Sequence, residues 1–153
     1  MKHLFDITVQ VAPPILIGQD QIVGRRQLIP ILSGTLSGKN IEGHPLVGTV
    51  LPGGVDSQVI RPDGICQLSA RYGVQLEDGT SFYIENNGIR TVPDAYVAQV
   101  LQGAFIPPEL YYFATTPSFE VYDPRLHWLK SHLFVCKATR LETAVLLSFH
   151  VVD

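Results

Sequence analysis

Apolar and polar residues alternate with a period of two over long stretches of this chain, which restricts the fold more than any other feature. Within residues 65–76 the even positions Cys66, Leu68, Ala70, Tyr72, Val74 and Leu76 are apolar apart from the Tyr hydroxyl, while Gln67, Ser69, Arg71 and Gln75 take the other face. Phe5, Ile7, Val9 and Val11 alternate in the same way with Asp6, Thr8 and Gln10. A helix would repeat its apolar residues every three or four positions, so these are half-buried strands.

Further strands are predicted over residues 26–37, 44–51, 58–61, 80–89, 96–101, 111–121, 133–141 and 143–152. Turn signals punctuate them: Pro52-Gly53-Gly54, Pro62-Asp63-Gly64, Asp78-Gly79 and Asn87-Gly88, in which Gly or Asn supplies positive φ and Pro presets the position before. Asp78-Gly79 marks the clearest hairpin and suits a tight primed turn. Only residues 123–131 read as helical, with Asp123 to cap, Pro124 at the first helical position, and Leu126 and Leu129 on one side. These elements predict an all-β single domain over residues 1–153: a mostly antiparallel β-barrel of about eight to ten strands with one short helix, preferred over a sandwich because closure removes sheet edges.

Composition narrows the function classes. With 11 Lys and Arg against 14 Asp and Glu, and basic residues scattered apart from Arg25-Arg26, there is no cationic stripe to neutralise a phosphate backbone, and no nucleic-acid partner is expected. The opening MKHLFDITVQ interrupts any signal-type apolar stretch with Asp6, Thr8 and Gln10, and no segment approaches the roughly 18 apolar residues of a membrane helix. A cytoplasmic protein without membrane association is expected. Charged residues are 16% of the chain, below the usual share of about 25%, and a homodimer interface would cover the surplus apolar surface. Cys66 and Cys136 lie far apart and read as two buried free thiols. His3, His44, His127, His132 and His150 show no metal-ligand spacing, and no metal or cofactor is expected. The loop-like run 33–40 lacks the first glycine and the final hydroxyl of a phosphate-binding loop, and reads as a strand end with a turn.

Parity supplies the candidate site. Tyr72 points inward with its apolar row. In the hairpin partner Phe82 and Ile84 share their face with Asn86 and, if alternation persists through Gly88, with Arg90; Phe134, Cys136 and Ala138 likewise lead to Arg140. A guanidinium at the end of an inward row needs a carboxylate, carbonyl, water or ligand, and Asp56, Glu85 and Glu120 are the candidate carboxylates. One reading has these groups closing the barrel ends as ion pairs. The other is a pocket at one mouth, walled by the aromatic segment 111–120 and Trp128.

The blocks Gly24-Arg25-Arg26, Ile29-Pro30-Ile31, Leu51-Pro52-Gly53-Gly54-Val55-Asp56, Arg61-Pro62-Asp63-Gly64 and Ala70-Arg71-Tyr72 resemble successive signatures of the DUF3237 (UPF0311) family. Asn86-x-Gly88-x-Arg90, Tyr111-Tyr112-Phe113 with Thr115 and Thr116, Pro117-x-Phe119-Glu120, Trp128-Leu129 and Leu133-Phe134-Val135 continue the resemblance in order. It implies a single-domain antiparallel barrel without a generally assigned activity. Ala114 stands where that family often has Arg, and Cys136 where Gly is common. The missing Arg implies a less charged ligand, or one anchored through Arg90 or Arg140.

Two functions of different classes follow. The first is a cofactor-free enzyme of isomerase, cyclase or lyase type acting on a small carbonyl or phenolic molecule. Asp56 or Glu120 is then the general base, Arg90, Arg140 and Asn86 hold the enolate or phenolate oxygen, and Tyr72 or Tyr112 returns the proton. The second is a non-catalytic barrel that holds a hydrophobic metabolite, with a filled barrel used for assembly as its extreme. The small-molecule ligand is the partner common to the enzyme and the binding barrel.

Overall fold

The computed structural model describes residues 1–153. Its strands are β1 (Lys2–Val11), β2 (Ile15–Asp20), β3 (Gly24–Lys39), β4 (Pro45–Val50), β5 (Val55–Ile60), β6 (Cys66–Leu76), β7 (Ser81–Thr91), β8 (Tyr112–Val121), β9 (Phe134–Arg140) and β10 (Ala144–Val151). Two short helices, α1 (Val97–Leu101) and α2 (His127–Lys130), occupy the connections on either side of β8. Every pairing is antiparallel, and the sheet closes where β1 pairs with β3.

Two interruptions by proline shape the wall. β4 pairs with the second half of β3 and β5 with its first half, so β4 and β5 are one strand broken at Pro52-Gly53-Gly54. Across β3, β1 and β2 are likewise one line broken at Ala12-Pro13-Pro14, where the prolines donate no ladder hydrogen bond. The result is a closed barrel of eight strand positions, with β2 paired only to β3. β1 stays paired with β10 as far as Gln10 and Ala144, after which the wall is notched between β2 and the β9–β10 turn.

The alternating rows fill the interior as their period requires. Phe5, Ile7, Val9, Leu36, Val74, Phe82, Ile84 and Phe149 form the buried centre. At one end α2 acts as a plug: Leu126 and Leu129 are buried, and Trp128 meets Phe5 and Phe134 edge-on or tilted at about 6.3 and 6.2 Å. At the other end the β7–β8 connection crosses the opening, where Val100 and Ile106 pack on Ile60 and Cys66. No helix is long and apolar enough to cross a membrane.

Four local expectations need correction. Residues 96–101 form a 3₁₀ turn running into α1, not a strand, because this apolar segment lays Val100 over the barrel end and has no neighbouring strand to pair with. β2 was not anticipated, since Pro13-Pro14 masks the continuation of the β1 line. Asn87-Gly88 lies within β7, where a glycine Cβ would strike the Ala114 carbonyl, so Gly88 permits close approach of β8 and makes no turn. In the β6–β7 hairpin only Gly79 has positive φ, so the turn is not a primed one; Asp78 instead accepts from the Thr80 backbone N–H at 2.9 Å.

Candidate functional site

The open end gathers polar side chains from five stretches of chain. Alternation along β3 and β5 turns Gln27 and Gln58 inward with Ile29 and Ile60. At the ends of β7 and β9 the inward rows finish in Arg90 and Arg140. Tyr111 arrives just before β8. Together with apolar residues of the overlying connection they line a cavity of about 220 Å³.

Neither arginine has a carboxylate within ion-pair distance. The Arg90 guanidinium lies 5.8 Å from the Tyr111 ring centroid and 5.9 Å from that of Phe113, so aromatic faces partly compensate its charge. Arg140 is more confined. Its Nη1 is buried with no hydrogen-bond partner, and burial, reinforced by the Arg90 charge, lowers its pKa while Asp56 opposes the shift. The Arg140 backbone N–H donates to Tyr111 Oη at 2.7 Å, which pins the tyrosine across the opening. Burial raises the Tyr111 pKa, against that hydrogen bond and the two nearby cations.

One inward position deeper than Gln58 lies Asp56, almost entirely buried. A single-file chain of hydrogen bonds fixes it. Arg25 Nε donates to Gln27 Oε1 at 2.8 Å, Gln27 Nε2 to Gln58 Oε1 at 2.9 Å, and Gln58 Nε2 to Asp56 Oδ2 at 2.8 Å. The other carboxylate oxygen, Oδ1, has no partner. Burial raises the Asp56 pKa, with the Gln58 hydrogen bond, the Arg90 and Arg140 charges and the Ser69 backbone N–H pulling the other way. Below the mouth, Asp56, Tyr72 and Asn86 border a second, smaller chamber of about 30 Å³ with otherwise mainly apolar walls. Burial likewise lifts the phenol of Tyr72 far above the ordinary tyrosine range. Cys66 and Cys136 are free, buried thiols, pushed up by burial to about 11 and about 12.

Of the residues singled out in sequence, the structure brings Asp56, Tyr72, Asn86, Arg90 and Arg140 to these two layers, which the Gln58–Asp56 hydrogen bond links. It does not bring Tyr112, Glu120 or Trp128 there. Tyr112 has the opposite parity to Phe113, is 53% exposed, and meets Lys137 on the outer wall. Glu120 also faces outward and hydrogen-bonds Tyr122. Trp128 belongs to the plug at the opposite end. Glu85 pairs with Arg71 on the outside at 3.2 Å, which leaves Asp56 as the interior carboxylate of the three. Sequence reasoning placed Tyr111 only within the wall segment 111–120, without a role of its own, and missed Gln27 and Gln58. Parity with Phe113 pointed to Tyr111, and parity with Ile29 and Ile60 pointed to the two glutamines.

The fold recurs in solved structures. A crystal structure of a protein of unknown function from Clostridium acetobutylicum superposes with a TM-score of 0.93 at 56% identity, covering 99% of this chain and 95% of that one. An enzyme from Penicillium herquei shares the fold, at a TM-score of 0.67 and 18% identity over 97% of this chain and 92% of its own. In sequence, a UPF0311 protein of C. acetobutylicum is 57% identical over 99% of this chain and 93% of that protein. The family model described as "Protein of unknown function (DUF3237)" spans residues 1–152, so the barrel with two unpaired arginines above a buried aspartate belongs to a member of the DUF3237 family.

Proposed function

We propose that this barrel binds a small molecule through an anionic or electron-rich oxygen at Arg90 and Arg140, and that Asp56 moves a proton on it without a cofactor. The observation that carries this reading is the convergence of two guanidinium groups lacking any carboxylate partner on a concave mouth, one layer above a buried carboxyl of raised pKa. Charge left uncompensated in a partly dry site is costly, and a ligand oxygen offsets it.

The chemistry is of isomerase, cyclase or lyase type on a carbonyl or phenolic compound. Asp56 takes a proton from a carbon or hydroxyl of the ligand, the bonding electrons move onto the oxygen held by Arg90 and Arg140, and Asp56 returns the proton at a second position. A positioned base contributes about 10²- to 10⁴-fold and preorganised oxyanion donors about 10²- to 10³-fold. The catalytic reading is supported by the fold shared with an enzyme from Penicillium herquei. A binding-only barrel is the second reading, favoured by the position of Asp56, which borders the lower chamber while Gln58 lines the mouth.

The test is hydrogen–deuterium exchange by NMR in D₂O over a panel of small keto acids and phenolic acids. Wild type is expected to exchange one ligand's activated hydrogen, Asp56→Asn to lose that exchange by about 10²-fold or more, and the double variant Arg90→Ala/Arg140→Ala to lose binding. Saturable binding without exchange would select the binding-only reading.

A further inference from the structure

The lower chamber has a chemistry of its own. Asp56 Oδ1, Tyr72 Oη and Asn86 Oδ1 are buried, have no hydrogen-bond partner in the protein, and belong to residues bordering this one chamber. The strand register explains the grouping. Asp56 on β5 faces Ala70 on β6, and Ala70 faces Asn86 on β7, so two polar side chains flank a single methyl group. Tyr72 stands at the next inward position of β6. Ala70, small where its neighbours in the row are large, leaves the space.

Size and polarity both suit water. The chamber holds about 30 Å³, above the roughly 10–15 Å³ that one water needs, and wet cavities are those whose walls offer two to four polar partners. Donors and acceptors also match one to one. Tyr72 keeps its proton and donates. Asp56 Oδ2 is already taken by Gln58, so Oδ1 is the free acceptor, and Asn86 Oδ1 is a second. A water offers one of its two lone pairs to the phenol and its two hydrogens to these two oxygens.

The geometry points to a binding site for one ordered water that bridges Tyr72, Asp56 and Asn86 beneath the mouth. The site stands on the cavity alone. Its consequence for reactivity rests on the function proposed above: the water gives the carboxylate of Asp56 a hydrogen bond that burial would otherwise deny it, and so helps set the proton affinity of the base. The remaining groups facing Asp56 are Gln58 on β5, the Ser69 backbone N–H and Cys66 on β6, Arg90 on β7 and Arg140 on β9. None of these takes the water's place on Oδ1.

The experiment uses the full-length protein without ligand. Water–protein NOESY and ROESY spectra are expected to show a long-lived water at the Ala70 methyl and the Tyr72 ring. Ala70→Val fills the chamber without removing a polar group; the water cross-peaks should vanish and the ¹³C-detected titration of the Asp56 carboxyl should move to higher pH. Ala70→Gly, which has no methyl to report, should keep the cross-peak at the Tyr72 ring and leave the Asp56 titration where it is in wild type. If Ala70→Val fails to fold, Tyr72→Phe removes the donor and should weaken the cross-peaks and shift the same titration upward. Absence of the cross-peaks in wild type would overturn the site, and an unmoved Asp56 titration on loss of the water would overturn its effect on the base. Both signals are read without substrate, so they stand or fall separately from turnover.

Discussion

Burial raises the pKa of Asp56 in the folded barrel above the ordinary 3.8, so the folded state holds this proton more tightly than the unfolded chain does. The group's contribution to stability is therefore complete below the unfolded value and is lost as pH rises through the folded one. Asp56→Asn, which keeps the shape and the bond from Gln58, is expected to raise the melting temperature at pH 7 and to differ less from wild type near pH 4; calorimetry at the two pH values checks this. Arg140 poses the same conflict with the opposite charge. Arg140→Met should hold or raise thermal stability, because it removes a desolvated cation beside Arg90, while weakening binding of an anionic ligand by about 10- to 100-fold in calorimetric titration. Tyr72, Asn86, Arg90 and Arg140 were legible because alternation fixes which way a side chain points once a strand is recognised, whereas Asp56, outside the predicted strand 58–61, was one of three carboxylates that parity did not separate. Tyr111 and Tyr112 show how narrow that signal is: neighbours of one residue type face opposite sides of the wall, and one step of parity moves a phenol from the mouth to solvent.

Most strands were recoverable to within a few residues, β3 and β8 included although Pro30 and Pro117 lie within them; β2 was not. β2 escaped notice because the line that it continues is broken at Pro13-Pro14, and α1 resembled a strand because a short apolar run has no period to distinguish the two. What decides α1 is tertiary: its Val100 seals the barrel over Ile60 and Cys66. The two ends thus have separate duties. Leu129→Ala in α2 should cost about 2–5 kcal/mol in denaturant unfolding, since Leu129 is fully buried in the plug, and should leave ligand affinity unchanged. A loss of affinity on that substitution would show that the ends are coupled.

For the molecule as a whole, β2 is the exception to closure. It pairs only with β3, and Ile15, Leu16 and Ile17 are each at least half exposed along it. An apolar strand with a free edge is a template for pairing with another strand. Sedimentation is therefore expected to give a species of twice 16.9 kDa, and Ile17→Lys to return it to a monomer. The notch between β2 and the β9–β10 turn has a kinetic consequence as well. Pro14, before β2, and Glu142, in the β9–β10 turn, both line the cavity, so a guest is expected to enter sideways between them without breaking a rung of the ladder. Residence time should then track the guest's grip on the arginines and be indifferent to how tightly the far end of the barrel is sealed.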